Sequence, residues 1–66
     1  MQITINGQPT ACPDGDTIAD LLARLDVPPT GTAVARNDVV VRRALYAETA
    51  LREGDRIEII HAVAGG

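Results

Sequence analysis

The sequence has no tryptophan, no phenylalanine and no lysine, and only one tyrosine (Tyr46), one cysteine (Cys12) and one histidine (His61). Each shortage excludes something. Without large aromatics the core must be built from Ile, Leu and Val. Without lysine there is no ε-amine for a Schiff base and no acceptor for self-linked isopeptide chains. All six positive charges are arginines: Arg24, Arg36, Arg42, Arg43, Arg52 and Arg56. A lone cysteine makes neither an intrachain disulfide nor a CxxC redox pair. His61 has no Cys or acidic companion at metal-ligand spacing, so no metal site is expected. No Ser/His/Asp set, P-loop or HExxH occurs, so no catalytic residue is assigned. No apolar run approaches the length of a membrane span, and because Met1 opens directly on an alternating pattern no secretory leader is expected. A cytoplasmic protein is expected. The net charge of −3 disfavours nucleic acid, whose binders show a basic face, and disfavours an anionic membrane surface. The 66 residues amount to one domain, which leaves no room for a deep active-site cavity.

What is present is strongly patterned. In "MQITIN" Met1, Ile3 and Ile5 alternate with Gln2, Thr4 and Asn6, as in a half-buried strand. Asn6-Gly7 is a strong hairpin signal, and a short second strand over about 8–11 should return beside the first, with Pro9 favouring an edge. "PDGD" is a turn. In "TIADLLARL" Ile18, Leu21, Leu22 and Leu25 recur at helical spacing. Thr17 and Asp20 stand three apart as a capping-box pair, Asp16 and Asp20 set negative charge at the positive helix end, and Pro28-Pro29 should stop the helix. "TAVARN" and Val39–Val41 read as a third and a fourth strand around an Asn37-Asp38 turn. Residues 42–50 are ambiguous between a helical turn and a loop. "REGD" is another turn, and "RIEIIHAV" is the last strand, with Ile57 and Ile59 inward and Glu58 outward.

A helix with one apolar stripe must lie across one face of the sheet. A right-handed crossover through it lets the first and last strands run parallel as central neighbours. The expected fold is α+β: a β-grasp, or ubiquitin-like, mixed sheet of four to five strands with one main helix on one face. The expected organisation is a single domain over 1–66, with 62–66 as a flexible C-terminal functional tail.

In this order the motifs resemble the ThiS family, the sulfur carrier proteins of thiamine biosynthesis. The likeness runs from "MQITING" through "DGDTIADLL", "VARN" and "VVVRR" to "LREGDRIEIIHAVAGG". Its most specific part is G-D-x-I-E-I followed by a closing A-G-G. Arg42 departs from the family's frequent Pro, and Tyr46 from its common Trp; both bear on loop geometry. The resemblance implies that the Gly66 carboxylate is adenylated by an E1-like adenylyltransferase consuming ATP. Sulfur from a cysteine persulfide, supplied by a cysteine desulfurase, then replaces AMP to give a thiocarboxylate, and a thiazole synthase receives the sulfur. The chain would be a cosubstrate rather than an enzyme, with no bound cofactor. Sulfur carriage to molybdopterin or another metabolite, a ubiquitin-like modifier, and a plain binding module with an inert tail remain as alternatives.

The residues make the carrier role intelligible. Gly is about 7% of ordinary sequence, so a closing pair arises by chance roughly once in 200. An α-carboxylate is ionised at neutral pH and resists nucleophilic attack until it is given a leaving group, which acyl-AMP supplies. A partner must position it and exclude water from the adenylate. Gly65 and Gly66, with no Cβ, fit a narrow channel, with Ala64 threading behind them. The five residues 62–66 reach about 16 Å when extended, at roughly 3.3 Å per residue.

Ile60 breaks the alternation beside Ile59, and with Val63 it is a candidate apolar interface. The bland alternative tucks Ile60 under a loop. Arg36, Arg42 and Arg43 are candidate rim contacts, of which Arg43 is singled out, against the bland reading of solvated arginines. Cys12 is expected in the core rather than as a nucleophile, and His61 on a strand face. Asp14, Asp16 and Asp20 are explained by turn and cap without a metal. Glu53, Asp55 and Glu58 read as solvated.

Overall fold

The computed structural model describes residues 1–61. In chain order they form β1 (Gln2–Ile5), β2 (Gln8–Ala11), α1 (Ile18–Arg24), β3 (Thr32–Arg36), β4 (Val39–Val41), a 3₁₀ helix (Arg43–Glu48) and β5 (Arg56–His61). The strands make one mixed sheet in the order β2-β1-β5-β3-β4. β1 and β5 are parallel at its centre, with Ile5 opposite Ile57. The other pairings are antiparallel. The crossover through α1 is what allows the parallel pair, because parallel strands cannot be joined by a hairpin.

Residue parity decides which side of the sheet is buried. Val34 lies opposite both Ile59 and Val41, so these side chains share a face with Ile57 and Ile3. Against that face α1 sets Ile18, Leu21 and Leu22, all fully buried. Burial of one such side chain contributes about 1.5–3 kcal/mol. Leu51 and Tyr46 close the core below the helix, and the Tyr46 hydroxyl donates to the Thr32 carbonyl at 3.3 Å.

The ends of α1 show one expected cap and one correction. Thr17 and Asp20 form the reciprocal capping box: the Thr17 amide donates to Asp20 Oδ2 at 3.0 Å, and the Asp20 amide donates to Thr17 Oγ1 at 3.2 Å. At the other end the prolines do not stop the helix. Asp26 enters the left-handed region at φ 59°. Its amide then donates to the Ala23 carbonyl and the Val27 amide to the Leu22 carbonyl, a Schellman arrangement. The helix therefore ends at Arg24, and Leu25, expected within the buried stripe, is the C-cap and 40% exposed. Residues 42–50, ambiguous in sequence, contain the 3₁₀ helix. The last strand, expected to run through Val63, is described only to His61.

The charged residues also depart from expectation. Asp55, expected in solvent with Glu53 and Glu58, is only 5% exposed. Its carboxylate accepts from the Arg52 amide at 2.9 Å and from Asn37 Nδ2 at 3.1 Å. Arg36 Nε lies 3.0 Å from Asp55 Oδ2, but off the hydrogen-bonding direction, so that contact is one of charge. Arg36 is therefore half-buried in a structural pair rather than placed at a rim. Asp16 is buried and pairs with Arg24 of the helix it precedes. Glu53 and Glu58 are exposed as expected, although Glu53 Oε1 accepts from the Gln2 amide at 3.0 Å.

Candidate functional site

The candidate site is the end of β5 and what surrounds it. Gly66, Gly65, Ala64 and Val63 lie outside the described residues; their neighbours up to His61 do not. β5 is held from both sides. On one side Asn6, just past β1, sits at φ 49° and turns its carboxamide onto Ile59. Asn6 Nδ2 donates to the Ile59 carbonyl at 3.2 Å, and the Ile59 amide donates to Asn6 Oδ1 at 2.9 Å. A primary amide presents the same donor and acceptor as a peptide unit, so this side chain continues the β1–β5 ladder after the backbone has turned away. On the other side Asn37, at φ 50°, grips the start of β5. Its amide donates to the Arg56 carbonyl at 2.8 Å, and its Oδ1 accepts from the Arg56 amide at 2.9 Å. Beyond Ile59 the strand is paired to β3 alone, through Ile60 opposite Ala33 and His61 opposite Thr32.

Ile60 points away from α1, since its parity is opposite to that of the buried Ile57 and Ile59, and it is 59% exposed. Its cross-strand partner is Ala33, while Ala35 lies opposite Val40, which is 72% exposed. Two small residues between two large ones leave Ile60 and Val40 standing proud of the open sheet face. A polar shallow groove beside them holds Thr4, Arg56, Glu58 and Asp38, with Arg56 Nη2 paired to Asp38 at 2.9 Å. Ala33, Ala35 and Val40 were not singled out from the sequence. The available signal was parity within "TAVAR", which puts both alanines opposite in facing to Val34.

Arg43 does not join this patch. It lines a groove of about 540 Å³ between α1 and the 3₁₀ helix, on the helix side of the sheet, with Ala19, Ala23, Ala44 and Ala47. Its Nη1 donates to Thr30 Oγ1 at 3.3 Å. Ile60 and Arg43 thus face opposite sides of the molecule.

Cys12 is buried in the core at 6% exposure. Burial pushes its thiol pKa up, and the nearby Asp16 carboxylate adds to that. A sulfur nucleophile requires the reverse, because the thiolate is the reactive form. His61 is exposed on β5. Among the described residues no group of three or more His, Cys, Asp or Glu is placed to hold a metal ion. No described helix is long and apolar enough to cross a membrane.

A mixed five-stranded sheet gripping one main helix, with parallel first and last strands at its centre, is the ubiquitin-like β-grasp class. Within it, the model of the ThiS family matches residues 3–66, and the chain belongs to that family. It is 38% identical over 66 residues to the sulfur carrier protein ThiS of Escherichia coli, spanning the whole of both chains. It is 41% identical over 66 residues to a thiazole synthase of Magnetococcus marinus, of whose length it spans only 20%. The crystal structure of the thiamine biosynthesis protein ThiS from Geobacter metallireducens superposes with a TM-score of 0.86 at 28% identity, with full coverage of both chains.

Proposed function

We propose that this protein is a sulfur carrier whose working group is the α-carboxylate of Gly66, serving thiazole formation in thiamine biosynthesis. An E1-like adenylyltransferase attaches AMP from ATP to that carboxylate and releases pyrophosphate. The outer sulfur of a persulfide derived from a cysteine desulfurase attacks the acyl-adenylate and expels AMP, and a thiol then reduces the resulting acyl disulfide, leaving a thiocarboxylate on the carrier and a disulfide behind. A thiazole synthase then takes the sulfur and returns the carboxylate. The carrier contributes a substrate group rather than a catalytic one.

The observation that carries the reading is the match along the full length of both chains with the Escherichia coli sulfur carrier. Further support for the recipient comes from the Magnetococcus thiazole synthase, one fifth of which is similar to this chain. The geometry supports the division of labour. β5 is anchored at Ile59 by Asn6, so the five residues after His61 start from a fixed root. Extended, they span about 16 Å, enough to place an acyl group inside a partner while the sheet stays outside. Gly65 and Gly66 admit that partner's walls close to the backbone, with Ala64 behind them. The docking face is the open sheet around Ile60, and Val63 is assigned to the same interface. Arg43 meets the same partner only where that partner closes round the end of the sheet.

The test is a mass measurement. Incubation with a cognate activating enzyme, ATP and a sulfur donor should add about 16 mass units, the exchange of one oxygen for sulfur. Gly66→Ala should abolish the gain and leave the unfolding midpoint unchanged. A covalent conjugate to another protein would instead identify a modifier, and an unchanged mass would reject carriage.

A further inference from the structure

The two edges of the sheet are built alike and finished differently. β1 and β2 are joined by Asn6-Gly7, both left-handed at φ 49° and 81°, and this hairpin closes on Ile5 opposite Gln8. β3 and β4 are joined by Asn37-Asp38, also left-handed at φ 50° and 71°, and close on Arg36 opposite Val39. Two left-handed residues make a type I′ turn. The Asn6 and Asn37 amides donate to β5. By the alternation of the ladder, each closing pair then bonds across its own hairpin, and the next residue along turns its peptide groups outward. On β2 that residue is Pro9, which has no N–H to offer and blunts the edge. On β4 it is Val40, and no described strand lies beside it.

β4 carries none of the devices that keep an edge from pairing. Its residues are Val39, Val40 and Val41, uninterrupted by a lysine, a proline or an inward charge. Val39 is 66% exposed and Val40 72%. Such an edge is a template for a further strand, and its flanks say which one. The run Asp38-Val39-Val40-Val41-Arg42 is negative at one end and positive at the other. Laid antiparallel on a copy of itself about Val40, it sets Asp38 opposite Arg42 at both ends and Val39 opposite Val41. Opposite charges facing one another across strands favour the pairing. Arg42 makes no ion pair among the described residues. Asp38 holds Arg56 through Oδ2 while its side chain stays 72% exposed.

We propose that β4 pairs with β4 of a second copy, antiparallel and centred on Val40, so that the free carrier forms a two-fold dimer with one continuous sheet. The Val40 N–H of each copy donates to the Val40 carbonyl of the other. The two Val40 side chains meet on the open face, because residues directly opposed in such a pair share a face. Each Val39 meets the second copy's Val41 on the helix side. Ile60 stays uncovered, so docking through Ile60 and pairing through β4 use different surfaces. A three-residue edge covers less than the roughly 1,000 Å² of a lasting interface, so the two copies associate weakly and exchange fast. The proposal does not rest on the sulfur chemistry.

A concentration series on the full chain tests it. Proton–nitrogen spectra from about 0.1 to about 2 mM bracket an association near ~1 mM. Amide shifts of Val39, Val40, Val41 and Arg42 should move with concentration, those of β1 and β2 should not, and translational diffusion should slow in step. Val40→Pro puts on β4 the residue that β2 carries at the equivalent place. It should leave the hairpin bonds intact and abolish the concentration dependence. Arg42→Glu brings two carboxylates together at each end and should raise the dissociation constant about fivefold. Wild-type β1 and β2 shifts show that each variant is folded. Wild-type spectra that do not change with concentration overturn the proposal. A change centred on Ile60 and Ala33 does so too, since it would assign self-association to the open face. A Val40→Pro protein that still associates overturns pairing through β4. An Arg42→Glu protein that associates as tightly as the wild type overturns the antiparallel register.

Discussion

Asn6 and Asn37 hold the same strand by the same device from opposite sides. Each ends a neighbouring strand in the left-handed region, which asparagine enters more readily than most residues. Each donates its backbone amide to a β5 carbonyl, Ile57 for Asn6 and Arg56 for Asn37, and accepts a β5 amide on its side-chain oxygen; the Asn6 side-chain nitrogen donates to Ile59 and that of Asn37 to Asp55. Asn6→Asp keeps the shape and removes the donor. A carboxylate then faces the Ile59 carbonyl, with only the bond from the Ile59 amide left. The loss of one partly buried donor should cost about 1–3 kcal/mol, read as a lower urea midpoint at neutral pH with an unchanged slope. A midpoint within error of the wild type would show that the Asn6 clamp adds nothing to stability. This role was hidden in the sequence, where Asn6-Gly7 announces only a hairpin. The same holds for Asp55: "REGD" announces a turn, but Asn37 and Arg36, which make burial of its charge tolerable, arrive from another strand. Local chemistry marks where the chain bends; partners brought together by the sheet decide which polar group goes inside.

Elements with a period of their own were legible, and those without were not. The alternation of Ile3 and Ile5, the helical spacing of Ile18, Leu21 and Leu22, and the Thr17/Asp20 box all specify themselves within a few residues. The 3₁₀ helix has no such signature, since Tyr46 is its one buried residue and the core above it defines its place. Leu25 falls outside the stripe because Asp26 turns left-handed one residue later, ahead of the prolines expected to set the boundary. The capping box gives α1 a dependence on acid. The Thr17 backbone amide, and then its hydroxyl, hold the Asp20 carboxyl below its ordinary value. A group whose pKa is lower in the folded state stabilises the fold above its unfolded pKa, about 3.9 for Asp. That contribution drains away as the pH falls through the lower folded value. Asp20→Asn should therefore flatten the acid limb of the stability curve, while Thr17→Ala, which removes the cap itself, should cost about 1 kcal/mol at pH 7. Chemical unfolding at a series of pH values from neutral to strongly acid measures both, and an acid limb in Asp20→Asn superposable on the wild type would refute the assignment.

At the scale of the whole molecule the proposed function gives the two faces of the sheet separate uses. The helix side supplies stability through Ile3, Val34 and Ile57 beneath α1. The open side keeps Ile60 and Val40 exposed over Ala33 and Ala35, and none of the described residues covers them. Placing a charge there separates the uses experimentally. Ile60→Glu removes little buried area, so its unfolding free energy should stay within about 0.5 kcal/mol of the wild type. In the proposed carrier reaction it should nonetheless weaken productive docking on the activating enzyme. Removal of one central apolar anchor at an interface commonly costs more than 1 kcal/mol, close to a tenfold change in an equilibrium. The expected signature is a KM for the carrier raised about tenfold with kcat nearly unchanged, because the Gly66 carboxylate and its tail are intact. Gln8→Glu, on the far edge strand β2, adds the same charge to the protein as a whole and should leave KM near the wild-type value. Equal kinetic effects from the two variants would mean that net charge, and not the open face at Ile60, governs the encounter. A fall in kcat alone would mean that Ile60 acts on the tail's alignment inside the partner rather than on docking of the sheet.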